Sequence, residues 1–80
     1  MIMPTKHTNF SESLLGFGSY LLSCLKSPES IDDLWKKYQN DYKNKIYYAK
    51  QSFDNLLLTI VFLHSIGAVN EQDGVIIKCN

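Results

Sequence analysis

Residues 53–66 carry apolar side chains round almost the whole circumference of a helix, and this constrains the chain more than any other feature. Ser52 is placed to cap that helix, with Asp54 in the first turn where the helix dipole favours a carboxylate. Gly67 is a natural residue just past its end. Beyond it, Ala68-Val69-Asn70-Glu71 and Val75-Ile76-Ile77-Lys78 flank Gln72-Asp73-Gly74, and Asp-Gly between β-branched runs predicts a hairpin. At about 100° per residue, Phe53, Leu56, Leu57, Ile60, Val61 and Leu63 share one broad face, read here as core. Leu58, Phe62 and Ile66, at i, i+4 and i+8, form a second apolar stripe. A helix apolar nearly all round is buried on both sides, and another protein chain is the expected cover. The competing reading is that the hairpin or the N-terminal segment folds over the stripe. A membrane is not expected, because the run is shorter than the roughly 20 residues a span needs and is broken by Thr59, His64 and Ser65.

Two further helical segments precede this one. The first is expected from Ser11 to about residue 26, with Leu14, Phe17, Leu21, Cys24 and Leu25 on one face and Leu15 and Leu22 widening it. Its opposite face is small, made of Gly16, Ser19 and Ser23. Glycines inside a helix cost roughly 1 kcal/mol each relative to Ala, so another backbone approaching that small face is a plausible compensation; a poorly optimised surface turn is the alternative. Pro28 ends the connection, and Ser30 with Asp33 three residues later approximates a capping box. Ile31, Leu34, Trp35, Tyr38 and Tyr42 then make a narrow apolar stripe with polar residues outside it. The expected fold is mainly α with a small β-hairpin: residues 1–10 an extended arm, and residues 11–80 a winged-helix-like three-helix domain with a C-terminal wing.

Composition narrows the function. Lysines and acidic residues number eight each, the net charge is zero, and there is no Arg. That weighs against sequence-specific nucleic-acid readout, since bidentate Arg-to-guanine is the commonest specific base contact. In a DNA-reading winged helix the last helix would enter the major groove, yet residues 53–66 contain no Lys or Arg. Cys24 and Cys79 are too few for a disulfide framework and, with His7 and His64, match no zinc spacing. Cys24 reads as helix core, and His64 as a core-edge or dipole-facing residue. Gly16-Phe17-Gly18 lacks the preceding strand and third glycine of a phosphate cradle, and Asp32 and Asp33 point about 100° apart on a helix. No catalytic constellation, cofactor or metal is expected, so the chain reads as non-enzymatic. With no signal-peptide core at the start, it is expected to be cytoplasmic.

Residues 41–51 interleave Lys43, Lys45 and Lys50 with Tyr42, Tyr47 and Tyr48. Such a run can contact a nucleic-acid backbone without sequence preference. The favoured reading is a solvated connection whose aromatics rest on the core, with a short strand at Ile46-Tyr47-Tyr48 as an alternative.

The order of these features resembles the small middle components of ABC-three-component systems over almost the whole chain. The residues that carry it are Pro4-Thr5-Lys6-His7, Phe10-Ser11-Glu12-Ser13-Leu14-Leu15-Gly16-Phe17-Gly18, Ile31-Asp32-Asp33-Leu34-Trp35, Ser52-Phe53-Asp54 and Leu63-His64-Ser65-Ile66-Gly67-Ala68-Val69. The resemblance implies a gene encoded between an SMC-like or Rad50-like ABC ATPase and an effector such as a nuclease, in a module similar to Lamassu-type defence against phages and plasmids. It further implies a non-catalytic adaptor joining the two, with ATP and nuclease chemistry in the other components. Leu58, Phe62, Ile66, Gly16, Ser19 and Ser23 are the expected protein interface, and Lys43, Lys45 and Lys50 the candidate DNA-backbone contacts. A small DNA-binding winged-helix regulator is the competing function.

Overall fold

The computed structural model describes the backbone of residues 5–79 and the side chains of residues 14–79. Its elements are helix α1 (Thr5–Cys24), strand β1 (Glu29–Ser30), helices α2 (Ile31–Lys43) and α3 (Phe53–Ser65), and strands β2 (Val69–Gln72) and β3 (Val75–Lys78). The chain is thus mainly helical with a small antiparallel sheet of order β1-β3-β2. Residues 1–4 of the expected arm, and Asn80, lie outside the described residues. Residues 5–10 are helical rather than extended. No Gly or Pro occurs between residues 5 and 15, so nothing in the backbone stops the helix from continuing N-terminal to Ser11.

Both later helices start as their sequences dictate. The Ser30 hydroxyl accepts the Asp33 N–H at 3.1 Å and the Ser52 hydroxyl accepts the Asn55 N–H at 3.1 Å, each satisfying a donor that the first turn leaves unpaired. They also end alike. After α3, Ala68 N–H reaches Leu63 C=O at 2.8 Å and Gly67 N–H reaches His64 C=O at 3.1 Å. After α2, Ile46 N–H reaches Asp41 C=O at 2.8 Å and Lys45 N–H reaches Tyr42 C=O at 3.1 Å. These are paired Schellman closures, which need a left-handed residue at the turn. Gly67 supplies it at φ 78° and Lys45 at φ 62°. For lysine that conformation costs about 1 kcal/mol or more.

The hairpin turns on Asp73 and Gly74, at φ 54° and 84°, with Gln72 facing Val75 across a two-residue loop. Its third strand is Glu29–Ser30, whose register is Glu29 opposite Ile76 and Ser30 opposite Val75. It is not Ile46-Tyr47-Tyr48. A cap residue must be extended, and Ser30 is, at φ −74° and ψ 163°, so the cap of α2 is already strand-shaped. Ile46 and Tyr47, by contrast, both donate their N–H groups to the Asp41 carbonyl and are committed to the end of α2.

Phe17, Leu21 and Leu25 of α1 and its following turn, Leu34 and Tyr38 of α2, Leu56, Ile60 and Leu63 of α3, and Val69 and Ile76 of the hairpin form the core. Each fully buried aliphatic or Phe side chain contributes roughly 1.5–3 kcal/mol of apolar transfer. Helices α1 and α3 meet at Gly18, where an added Cβ would lie 3.2 Å from Leu63 Cδ2 and 3.7 Å from Thr59 Cγ2. That close approach rolls α3 by about 60° from the orientation its apolar pattern suggests. Thr59 becomes one of the most buried residues, its hydroxyl donating to the Asn55 carbonyl at 2.6 Å. Phe53 and Val61, read as core from spacing, are exposed instead.

The two glycines of α1 should therefore respond oppositely. At exposed Gly16 an added Cβ would touch only the Tyr47 hydroxyl at 4.0 Å, so Gly16→Ala should raise stability by about 0.5–1 kcal/mol. Gly18→Val should lower it by about 1–3 kcal/mol through overpacking. Urea unfolding of the two variants tests the pair, and a Gly18→Val protein as stable as the parent would show that the helices do not meet there.

Candidate interaction surfaces

The first surface follows from the roll of α3. With Leu56, Thr59, Ile60 and Leu63 turned inward, the outward face presents Val61 at 63% exposure and Leu58 at 43%, flanked by half-buried Leu57 and Phe62, and Ile66 at the helix end is 60% exposed. Of the stripe read from sequence, Leu58 and Ile66 are therefore open, while Phe62 also packs against the core. Val61 belongs to this outer face and sequence reasoning missed it. The signal that could have found it is Gly18, which by spacing lies on the Leu14, Leu21 and Leu25 side of α1 and so marks where α3 comes close.

Gly16, Ser19 and Ser23, expected as a contact face, are all exposed. The Ser23 hydroxyl donates to the Tyr20 carbonyl at 2.6 Å. The close helix approach uses Gly18 within the chain, so the compensation for a glycine in α1 is internal.

The second surface is the connection from α2 to α3, held by Tyr38. Its buried hydroxyl donates to the Ala49 carbonyl at 3.1 Å and accepts the Gln51 N–H at 2.6 Å. Gln51 is itself buried, and its side-chain oxygen accepts from Asn55 Nδ2 at 3.0 Å. Thus anchored, the connection splits its aromatics. Tyr47 turns inward, with ring centroids 4.5 Å from Tyr20, 5.7 Å from Phe17 and 5.9 Å from Tyr38. Tyr48 stays 88% exposed beside it, 5.4 Å from the Tyr47 ring. Between them and Tyr42 lies an open depression of about 510 Å³ lined by Tyr42, Lys43, Lys45, Tyr47 and Tyr48. Lys50 lines a neighbouring hollow with Trp35, Tyr38, Gln39, Tyr42 and Gln51. The structure therefore brings Lys43 and Lys45 together and sets Lys50 to one side.

On another side of α2, the Tyr20 hydroxyl donates to Asp41 Oδ2 at 2.5 Å, and Lys37 Nζ lies 3.3 Å from Glu29 Oε2 and 3.5 Å from the Cys24 carbonyl. Burial, reinforced by the Asp41 bond, pushes the Tyr20 phenol far above its ordinary range. Burial likewise raises Tyr38 and Tyr47, the latter partly offset by a Gln51 side-chain hydrogen bond. Burial also raises the Cys24 thiol, which disfavours the reactive thiolate. Among the described residues, no three His, Cys, Asp or Glu side chains converge as metal ligands, and no helix is long and apolar enough to cross a membrane.

What these features define is a small, mainly helical protein with a three-stranded antiparallel sheet. A family model for the ABC-three component (ABC-3C) system Middle Component 6 matches residues 3–79, and the chain belongs to that family. It is accordingly a component of a multi-component system. No curated protein and no solved structure matches it.

Removing the Tyr38 hydroxyl should be felt along the whole connection. Tyr38→Phe takes away a partner from a buried backbone N–H and should cost about 1–3 kcal/mol in chemical denaturation. A loss below the error of that measurement would show that the hydroxyl does not anchor the segment.

The raised phenols give a pH dependence of definite sign. Tyr20, Tyr38 and Tyr47 lie above 10.0 when folded and near it when unfolded, so the unfolded state releases their protons first. Stability is complete below that pH and falls as pH rises above it. Phenolate absorbance from these three should appear together with loss of helical circular dichroism; their ionisation in a fully helical protein would contradict the packing described.

Proposed function

We propose that this chain is the non-catalytic adaptor of its system, a winged-helix subunit joining an SMC-like or Rad50-like ABC ATPase to an effector in a Lamassu-like antiviral defence complex. Two observations support the winged-helix reading: the order helix, strand, helix, helix, hairpin, and the pairing of the lone strand with the second strand of the hairpin. The adaptor reading rests on the outward face of α3. There a DNA-reading winged helix would present cations to the major groove, whereas this helix offers Leu58 and Val61 beside Leu57 and Phe62, with no Lys or Arg in its length. A contiguous apolar face on so small a protein suits a protein partner and disfavours the regulator reading. The named ATPase and effector come from the resemblance of the sequence to such systems, with which membership in a middle-component family is consistent.

Val61 is the better probe of this face, because Phe62 packs partly on the core and its replacement would also disturb folding. Val61→Asp leaves the core intact and places an unpaired carboxylate where a partner would exclude water. Capture of the ATPase or the effector from the co-expressed system should fall by more than tenfold, with helical content unchanged. Undiminished capture of both components by a folded Val61→Asp protein would overturn the assignment of this face.

A further inference from the structure

We propose that the depression between Tyr42 and Tyr48 is a binding site for single-stranded nucleic acid, with Tyr48 as the stacking platform for an unpaired base and Lys43 and Lys45 as its phosphate contacts. This goes beyond the adaptor reading and does not depend on it.

The charge distribution is the first support. Over the whole chain lysines and carboxylates balance, but residues 42–53 hold Lys43, Lys45 and Lys50 and no Asp or Glu. Among the described residues, none of these three lysines has a carboxylate within ion-pair distance. The nearest acid in sequence, Asp41, is hydrogen-bonded to Tyr20 on another side of α2. This segment of a neutral protein thus carries lysines without acids, and an anion is the complement of such a segment.

The aromatics say which anion. Tyr47 is spent on the core and forms the floor, whereas Tyr48 is 88% exposed and Tyr42 40% exposed at the rim. Exposed rings interleaved with lysines match the two needs of single-strand binding, a π-face for a base and a cation for the backbone. A duplex keeps its base faces inside the stack and cannot use Tyr48. An acidic peptide would use the lysines but leave the rings idle.

Lys45 adds an independent observation. It occupies, at φ 62°, the left-handed closing position that Gly67 fills after α3 at φ 78°. A lysine held where glycine is favoured accepts backbone strain to keep its charge at the rim, the pattern expected of a functional residue. The contact would be sequence-tolerant, since every base has a π-face and no Arg is present to read an edge.

The test is fluorescence anisotropy on the full chain with a mixed-sequence DNA single strand, the same sequence as duplex, and adenosine monophosphate. The single strand should bind best, with a log–log salt slope of about −2 if all three lysines reach phosphates and about −1.4 if only Lys43 and Lys45 do. Tyr48→Ala, at a site too exposed to unfold the protein, should weaken binding by about five- to a hundredfold, and Tyr48→Phe should restore it. Lys45→Gly should raise the melting temperature while weakening binding and flattening the salt slope by about 0.7. The proposal is overturned if the duplex binds as tightly as the strand or if Tyr48→Ala binds like the parent. It is equally overturned if adenosine monophosphate matches the strand, which would reassign the depression to free nucleotides, if polyglutamate competes as well as DNA, or if no strand binds at low salt.

Discussion

The hydroxyl of Tyr38 is the point on which the two surfaces depend. It sits in the core with both of its hydrogen-bonding roles used, one toward the Ala49 carbonyl and one toward the Gln51 N–H. Those two bonds fix the last residues of a connection that has no secondary structure of its own. Because the connection is pinned there, Tyr47 is directed onto Phe17 and Tyr20, and its neighbour Tyr48 remains in solvent. The same anchor sets where Ser52 begins α3. A single buried phenol thus couples the aromatic core, the exposed lysine-bearing rim and the placement of the last helix, as expected of a fully satisfied polar group at low dielectric.

The second constraint is steric. Gly18 lets α1 approach α3 closely, and the groups that meet it are Thr59 and Leu63. Burying a threonine is tolerable because its hydroxyl returns to the helix through the Asn55 carbonyl. The consequence is distributed round α3: one apolar arc is consumed by the chain's own core and another is left facing water. The two surfaces draw on different physics. The α3 face offers apolar area, and the Tyr42–Tyr48 depression offers lysines and exposed aromatic rings.

The starts of α2 and α3, the end of α3 and the hairpin turn were legible in the sequence because capping is local, whereas α1 was expected from Ser11 and begins at Thr5. Ser30, Ser52, Gly67 and Asp73-Gly74 each act within a few residues of themselves, and each does what its identity predicts. The third strand was not legible, since Glu29–Ser30 becomes a strand only by meeting Val75 and Ile76 about 46 residues away. Nor was the left-handed Lys45, because lysine carries no signal for that conformation.

By itself the sequence determined the mainly helical class, the hairpin, the absence of cations from the last helix and the presence of two apolar stripes on it, because periodicity and turn chemistry depend on neighbours in the chain. Where the edges of the inward face fall was decided only by tertiary structure, since Thr59 is buried and Val61 exposed where α3 packs against Gly18 of another helix. Likewise the interleaved Lys and Tyr run specified a chemistry but not an arrangement. The division into Tyr47 within and Tyr48 without comes from hydrogen bonds to Tyr38, a residue on a different element, and no local pattern encodes a contact of that kind.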